Sequence, residues 1–150
     1  MKPEDLTEKD LYWLAGLLEG EGYFGYEGDS LRIKLIMTDR DVVERVAQYF
    51  DVKVYEREPR EPHHKVGYLC SIYGKKSIPW FIALMPLMGL RRYNKISICL
   101  NEHYEKIKML KFKKDFRDSQ RKPKKWMWDK DLAKKYFEGS VKFPEDDDTT

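Results

Sequence analysis

Leu11-Tyr12-Trp13-Leu14-Ala15-Gly16-Leu17-Leu18-Glu19-Gly20-Glu21-Gly22 is an apolar stretch of helical spacing that closes on two carboxylates and a glycine. At about 100° per residue, Leu11, Leu14, Ala15 and Leu18 share one side and Tyr12, Gly16 and Gly20 the other, with Trp13 and Leu17 between them. Such a helix has no solvent face. One side covers the chain's own core, and the other needs a second partner. Each glycine inside a helix costs roughly 1 kcal/mol against alanine, so Gly16 and Gly20, four residues apart, call for a tertiary reason. Together they make a flat strip that another backbone can approach closely.

The end of the helix is less ordinary than its middle. Glu19 and Glu21 stand where unpaired carbonyls already carry partial negative charge, so carboxylates there repel. A divalent cation held by a carboxylate and a freed carbonyl reverses the sign, with Gly22 expected to supply a left-handed stop. Such ions activate water and stabilise oxyanions. The same residues also fit a plain core helix with a glycine cap and two solvated glutamates.

In nine consecutive residues, Leu14-Ala15-Gly16-Leu17-Leu18-Glu19-Gly20-Glu21-Gly22, the chain resembles the signature of the LAGLIDADG homing endonucleases. The resemblance implies an α+β domain of order αββαββα, an antiparallel sheet forming a saddle with helices packed on one face. It also implies two signature helices packed about a twofold axis, Mg²⁺ as cofactor, and cleavage of both strands of a long pseudo-palindromic DNA site. A single signature implies a homodimer, whose contact falls on Tyr12, Gly16, Gly20 and Glu19. Glu21 matches the catalytic, metal-binding acidic position and Gly20 the residue whose carbonyl contacts metal. Glu19 matches the other acidic position, which in the family is more often structural. The chain departs from the consensus by carrying glutamate for aspartate at both. Arg92 resembles the basic residue that precedes the last core helix near the metal site, with Arg91 as the alternative.

Outward from this segment, Thr7 and Asp10 suit a helix start near Glu8. Tyr23 to Tyr26 reads as a strand, Glu27-Gly28-Asp29 as a turn, and Ser30 to Met37 as a strand alternating Arg32 and Lys34 with Ile33 and Leu35. Thr38 or Asp39 caps a helix to Phe50, with Val42, Val43, Val46, Ala47 and Phe50 at helical spacing. Val52 to Arg57 alternates again, residues 58–64 form a polar loop, and Gly67 to Tyr73 is rich in strand-forming residues. A helix is expected from Ser77 that breaks at Pro86, then a longer one from Tyr93 to about Leu110. The family unit thus spans residues 7–110. Residues 111–128 read as a basic linker or arm, 129–139 as a short helix stopped by Gly139, and 140–150 as a disordered acidic tail. No second signature is present.

The 150 residues suffice for one domain with its own core. Lys and Arg number 29 against 26 Asp and Glu; without the terminal run Glu145-Asp146-Asp147-Asp148 the excess is +7, which suits a polyanionic partner. Cys70 and Cys99 lie among apolar residues and suit a reducing compartment. His63, His64 and His103 do not combine with them at the short paired spacings of a structural zinc site. Neither a signal peptide nor a membrane span is recognisable, and an intracellular, soluble protein is expected.

A two-faced antiparallel sheet can read a DNA major groove through basic and polar side chains. Arg32 and Lys34 share one side of the second strand, and Lys53, Tyr55 and Arg57 one side of the third. Tyr68 and Ser71 are further candidates whose side the sequence leaves open, since a one-residue slip reverses a strand's faces. Taken singly, each is an ordinary solvated sheet residue. The leading reading is a homodimeric, Mg²⁺-dependent endonuclease on double-stranded DNA. The alternative is a non-cleaving nucleic-acid-binding protein on the same fold, an intron RNA maturase or a transcription regulator.

Overall fold

Thr7 opens the first helix: its hydroxyl accepts the Asp10 backbone N–H at 3.2 Å and donates to the Asp10 carboxylate at 2.7 Å. Helix α1 spans Glu8–Glu21 and buries Leu14, Ala15 and Leu18, the side expected to face the core. The chain then enters strand β1, Gly22–Glu27, without a turn. Gly22 is extended, with φ −77° and ψ 154°, and does not supply the expected left-handed stop. It is glycine for another reason. A Cβ at this position would lie 2.7 Å from the Leu18 carbonyl oxygen and 2.9 Å from the Leu18 Cα, both backbone atoms that no rotamer change can move.

Gly28 and Asp29, at φ 54° and 64°, form the tight link to β2, Ser30–Met37, as a two-residue primed turn requires. Helix α2, Arg40–Phe50, presents Val43, Val46, Ala47 and Phe50 to the core and ends at a left-handed Asp51. Strands β3, Tyr55–Arg57, and β4, Gly67–Tyr73, complete a four-stranded sheet of order β1-β2-β4-β3, antiparallel throughout. The alternating stretch from Val52 yields a strand only from Tyr55. Before that point the Val52 N–H bonds the Ala47 carbonyl at 3.0 Å and Val52 and Val54 pack on the core, which ties this stretch to the end of α2.

Helix α3, Ile78–Leu84, gives way to a 3₁₀ turn around Pro86, and α4 runs Leu90–Gln120. The helices cover one face of the sheet. Phe24, Leu31, Ile33, Leu35, Cys70 and Ile72 meet Leu14, Leu18, Val43, Val46, Phe50, Trp80, Phe81, Leu84, Ile96 and Cys99 in one core. Phe24 packs edge-on against Phe81, with centroids 5.5 Å apart, and Phe50 against Trp80 at 5.0 Å. Ser77 is buried, and its hydroxyl donates to the Leu31 and Gly74 carbonyl oxygens, 3.2 and 2.7 Å away. The molecule is thus a mixed α+β protein with an antiparallel sheet.

The computed structural model describes residues 1–120. The chain divides into two compact units, Met1–Leu110 and Lys111–Thr150. The basic stretch read as the start of a linker is helical as far as Gln120: it holds no glycine or proline up to that point, and Lys, Arg and Gln sustain a helix without burying an apolar stripe. The rest of the arm, the expected helix 129–139 and the acidic tail lie outside the described residues. Among the described residues no helix is long and apolar enough to cross a membrane.

Candidate nucleic-acid interface and acidic helix end

The end of α1 meets the start of α4, and the two glutamates there part company. Glu19 is half-buried; its carboxylate accepts the Gly89 backbone N–H at 3.1 Å, at the positive N-terminal pole of α4. Arg92 Nε–H donates to the Glu19 backbone carbonyl at 3.1 Å, so a cation also answers the negative pole of α1. Arg91, by contrast, is exposed in the same turn. Glu21 is exposed and has no hydrogen bond or ion pair among the described residues. The sequence alone does not separate these carboxylates, because the distinguishing donor lies 70 positions away.

The face of α1 opposite the core is uncovered in the single chain. Tyr12 is 54% exposed, Gly16 and Gly20 are exposed, and a Cβ built on either glycine would meet nothing within 4 Å. Neither glycine is therefore required by packing within one copy. The Tyr12 hydroxyl donates to Glu8 at 2.7 Å.

Register fixes the faces of the sheet. Tyr23 pairs with Lys34 and Lys34 with Ser71; Gly25 pairs with Arg32 and Arg32 with Tyr73; Tyr55 pairs with Leu69 and Arg57 with Gly67. These residues lie on the face away from the helices. Tyr68 pairs with Met37 and packs on the core from the other face, where the Arg40 guanidinium lies 5.6 Å from its ring. Lys53 is exposed but precedes the paired part of β3. So Arg32, Lys34, Tyr55, Arg57 and Ser71 share the open face, while Tyr68 does not.

Two tyrosines that sequence reasoning passed over, Tyr23 and Tyr73, join Tyr55 on this surface. Tyr73 is 64% exposed and Tyr55 61%, and Tyr23 lies across Gly25, where a Cβ would collide with the Tyr23 ring. The Tyr23 hydroxyl donates to Glu27 at 2.5 Å, which holds the Glu27 carboxyl below its ordinary range and raises the Tyr23 phenol. Arg32 pairs with Glu27 at 3.1 Å and lies over Tyr73, and the Lys34 ammonium is 4.7 Å from the Tyr23 ring. The result is a ridge of cations and aromatic rings with one carboxylate inside it. The alternation of the cations was readable in β2, and Tyr55 in the third strand; Tyr23 and Tyr73 became visible only once the register was known.

A second grouping lies in the β3–β4 connection. Glu61, His63 and His64, read in sequence as part of a polar loop, bring one potential ligand atom each within 4.8 Å of the others. The short spacings of a structural zinc site pair histidine with cysteine, and a carboxylate such as Glu61 stands outside that pattern.

Comparison with protein-family models finds none that matches this chain, and comparison with curated proteins finds no match either. The donor set at the end of α1 bears on what the site can hold. Glu21 offers one carboxylate and Gly20 one backbone carbonyl, both oxygens, as a hard divalent cation prefers. Mg²⁺ usually keeps several waters and binds through one or two carboxylates plus substrate phosphates, so this sparse set fits it when a phosphate is present.

Proposed function

We propose that the protein is a LAGLIDADG-type endonuclease, of αββαββα fold, that cuts both strands of DNA as a homodimer. The observation that carries this reading is the α1 end: a helix with an uncovered glycine face terminates in one carboxylate, Glu21, that nothing else in the described chain engages. In a twofold dimer the Tyr12, Gly16, Gly20 faces pack together and the two Glu21 side chains lie near the axis. Each chain contributes one carboxylate, and each strand to be cut needs one.

Glu21 and the Gly20 carbonyl would hold Mg²⁺. A divalent cation so bound supplies a nucleophile at neutral pH and offsets charge on phosphate oxygens. Arg92 uses its Nε–H on Glu19, which leaves the terminal guanidinium N–H groups to face a phosphate oxygen as negative charge grows there. Glu19, through Gly89, fixes how the α4 start is placed against the α1 end. Arg32, Lys34, Tyr55 and Arg57 then face the flanking major groove, with the basic ridge against the phosphates giving affinity and the polar tips giving discrimination, while the Ser71 hydroxyl is covered on this face.

The test is cleavage of a randomised duplex library by the purified chain in Mg²⁺ and in Ca²⁺, with Glu21→Gln alongside. The native protein should cut a subset of sequences in Mg²⁺, and Glu21→Gln should bind those sequences within about fivefold while losing cleavage, since a metal-ligand charge is removed at constant size. Undiminished cutting by Glu21→Gln would overturn the assignment. The exposed Tyr55 and Tyr73 rings on the same basic face favour one second reading, stacking on unpaired RNA bases. Binding of single-stranded RNA without any duplex cleavage would select it.

A further inference from the structure

We propose that the β3–β4 connection carries a separate site for a borderline divalent metal of the Zn²⁺ class, formed by Glu61, His63 and His64. The ligand chemistry is two imidazoles and one carboxylate, a set that Zn²⁺ and its neighbours Ni²⁺ and Cu²⁺ accept and that Mg²⁺ and Ca²⁺ do not favour. It is distinct from the oxygen-only donors at Glu21.

Geometry supports the site before any metal arrives. Glu61-Pro62-His63-His64 is a tight turn closed by the His64 N–H on the Glu61 carbonyl at 3.0 Å. Proline at the second position presets its own φ for such a turn, so the backbone between the three ligands is largely fixed in advance. One Glu61 carboxylate oxygen lies 3.1 Å from His63 Nε2 and 4.0 Å from His64 Nε2. The two imidazole rings are neighbours, edge to face, with centroids 4.4 Å apart. A tetrahedral ion with bonds of about 2.0 Å places its donors roughly 3.3 Å from one another, so ordinary side-chain rotation closes the triad. All three side chains are exposed, which leaves them free to make that rotation.

The surroundings say what the site does. His64 also lines a shallow pocket of about 230 Å³ with Arg57, Glu58, Pro59, Arg60, Lys65 and Gly67. The nearby Arg60 and Lys65 oppose a cation, so affinity must come from ligation rather than from a general negative field. A metal there ties together three side chains on a turn whose backbone is already closed. This inference does not depend on DNA cleavage.

The experiment uses the full chain stripped of metal with a chelator. Zn²⁺ is titrated by calorimetry, and the imidazole ¹H–¹⁵N spectrum is followed in parallel. The chain has three histidines, so the spectrum is simple. One Zn²⁺ per chain should bind, the His63 and His64 signals should shift, and His103 should not. His63→Ala, His64→Ala and Glu61→Gln should each weaken binding by about tenfold or more, as loss of one ligand in three does, and millimolar Mg²⁺ should not compete. The exposed loop lets these variants fold, which their unchanged circular dichroism should show. Zn²⁺ bound as tightly by the His63→Ala/His64→Ala double variant, or no bound Zn²⁺ in the native chain, would overturn the site.

Discussion

Gly16→Ala separates the energetics of one chain from those of a pair. In the single copy, a Cβ at Gly16 meets nothing within 4 Å, and the residue sits in the middle of the fourteen-residue α1. Alanine is favoured over glycine in a helix interior by about 0.8–1 kcal/mol, with no clash to offset the gain. The isolated chain should therefore become more stable by about that much, or about 2–4 °C in Tm for a protein of this size. In the proposed dimer the same methyl groups enter a close helix contact twice. Overpacking there costs about 1–3 kcal/mol, which corresponds to roughly a fivefold to hundredfold weaker dimer. The two effects have opposite signs and different dependence on protein concentration. Urea denaturation at nanomolar and at tens of micromolar concentration, with sedimentation at both, resolves them. Native protein should gain stability with concentration; Gly16→Ala should exceed it when dilute and lose the advantage when concentrated. A variant less stable than native at every concentration would refute the claim that Gly16 has no role within one chain. A native chain that is monomeric at tens of micromolar would refute the dimer.

Gly22→Ala should go the other way and without concentration dependence: the extended backbone there suits alanine, but the Cβ strikes the Leu18 backbone, so a loss of about 1–3 kcal/mol outweighs a gain of at most ~1 kcal/mol from the stiffer unfolded chain. Equal or greater stability in thermal unfolding would show that the α1–β1 junction yields. Asp10 gives a pH signature. Its carboxyl is held below the ordinary range by the Thr7 hydroxyl first, then by Tyr49 and Arg45, so its contribution is present above the unfolded-state value and disappears as pH falls through the folded one. Asp10→Asn should make the fall in stability below about pH 4 shallower in urea melts at several pH values, and an identical slope in both proteins would show that Asp10 does not contribute it.

What the sequence made legible is what local physics decides. The period of Leu11, Leu14, Ala15 and Leu18 with the Thr7 start placed α1, the Gly28-Asp29 pair placed the hairpin, and the alternation in Ser30–Met37 assigned its faces. The misreadings have physical causes. Glycine at 22 answers to a steric requirement or to a positive φ, and the letter is the same for both. Val52 and Val54 alternate as a strand would, but the Val52 N–H is taken by α2. Tyr68 and Ser71 could be sorted only by register, and the extent of α4 followed propensity rather than the apolar period. The acidic end of α1 shows the limit most clearly. Two glutamates at the negative pole of a helix are anomalous together, and local rules cannot rank them. Tertiary contact answers for one: Gly89 and Arg92 engage the side chain and the carbonyl of Glu19. The charge of Glu21 stays at the helix end with no described partner, beside a pole of the same sign. A cation bound at Glu21 would offset both, whereas one carboxylate oxygen of Glu19 is already taken by the Gly89 N–H; this difference is why Glu21, rather than Glu19, is proposed as the metal ligand.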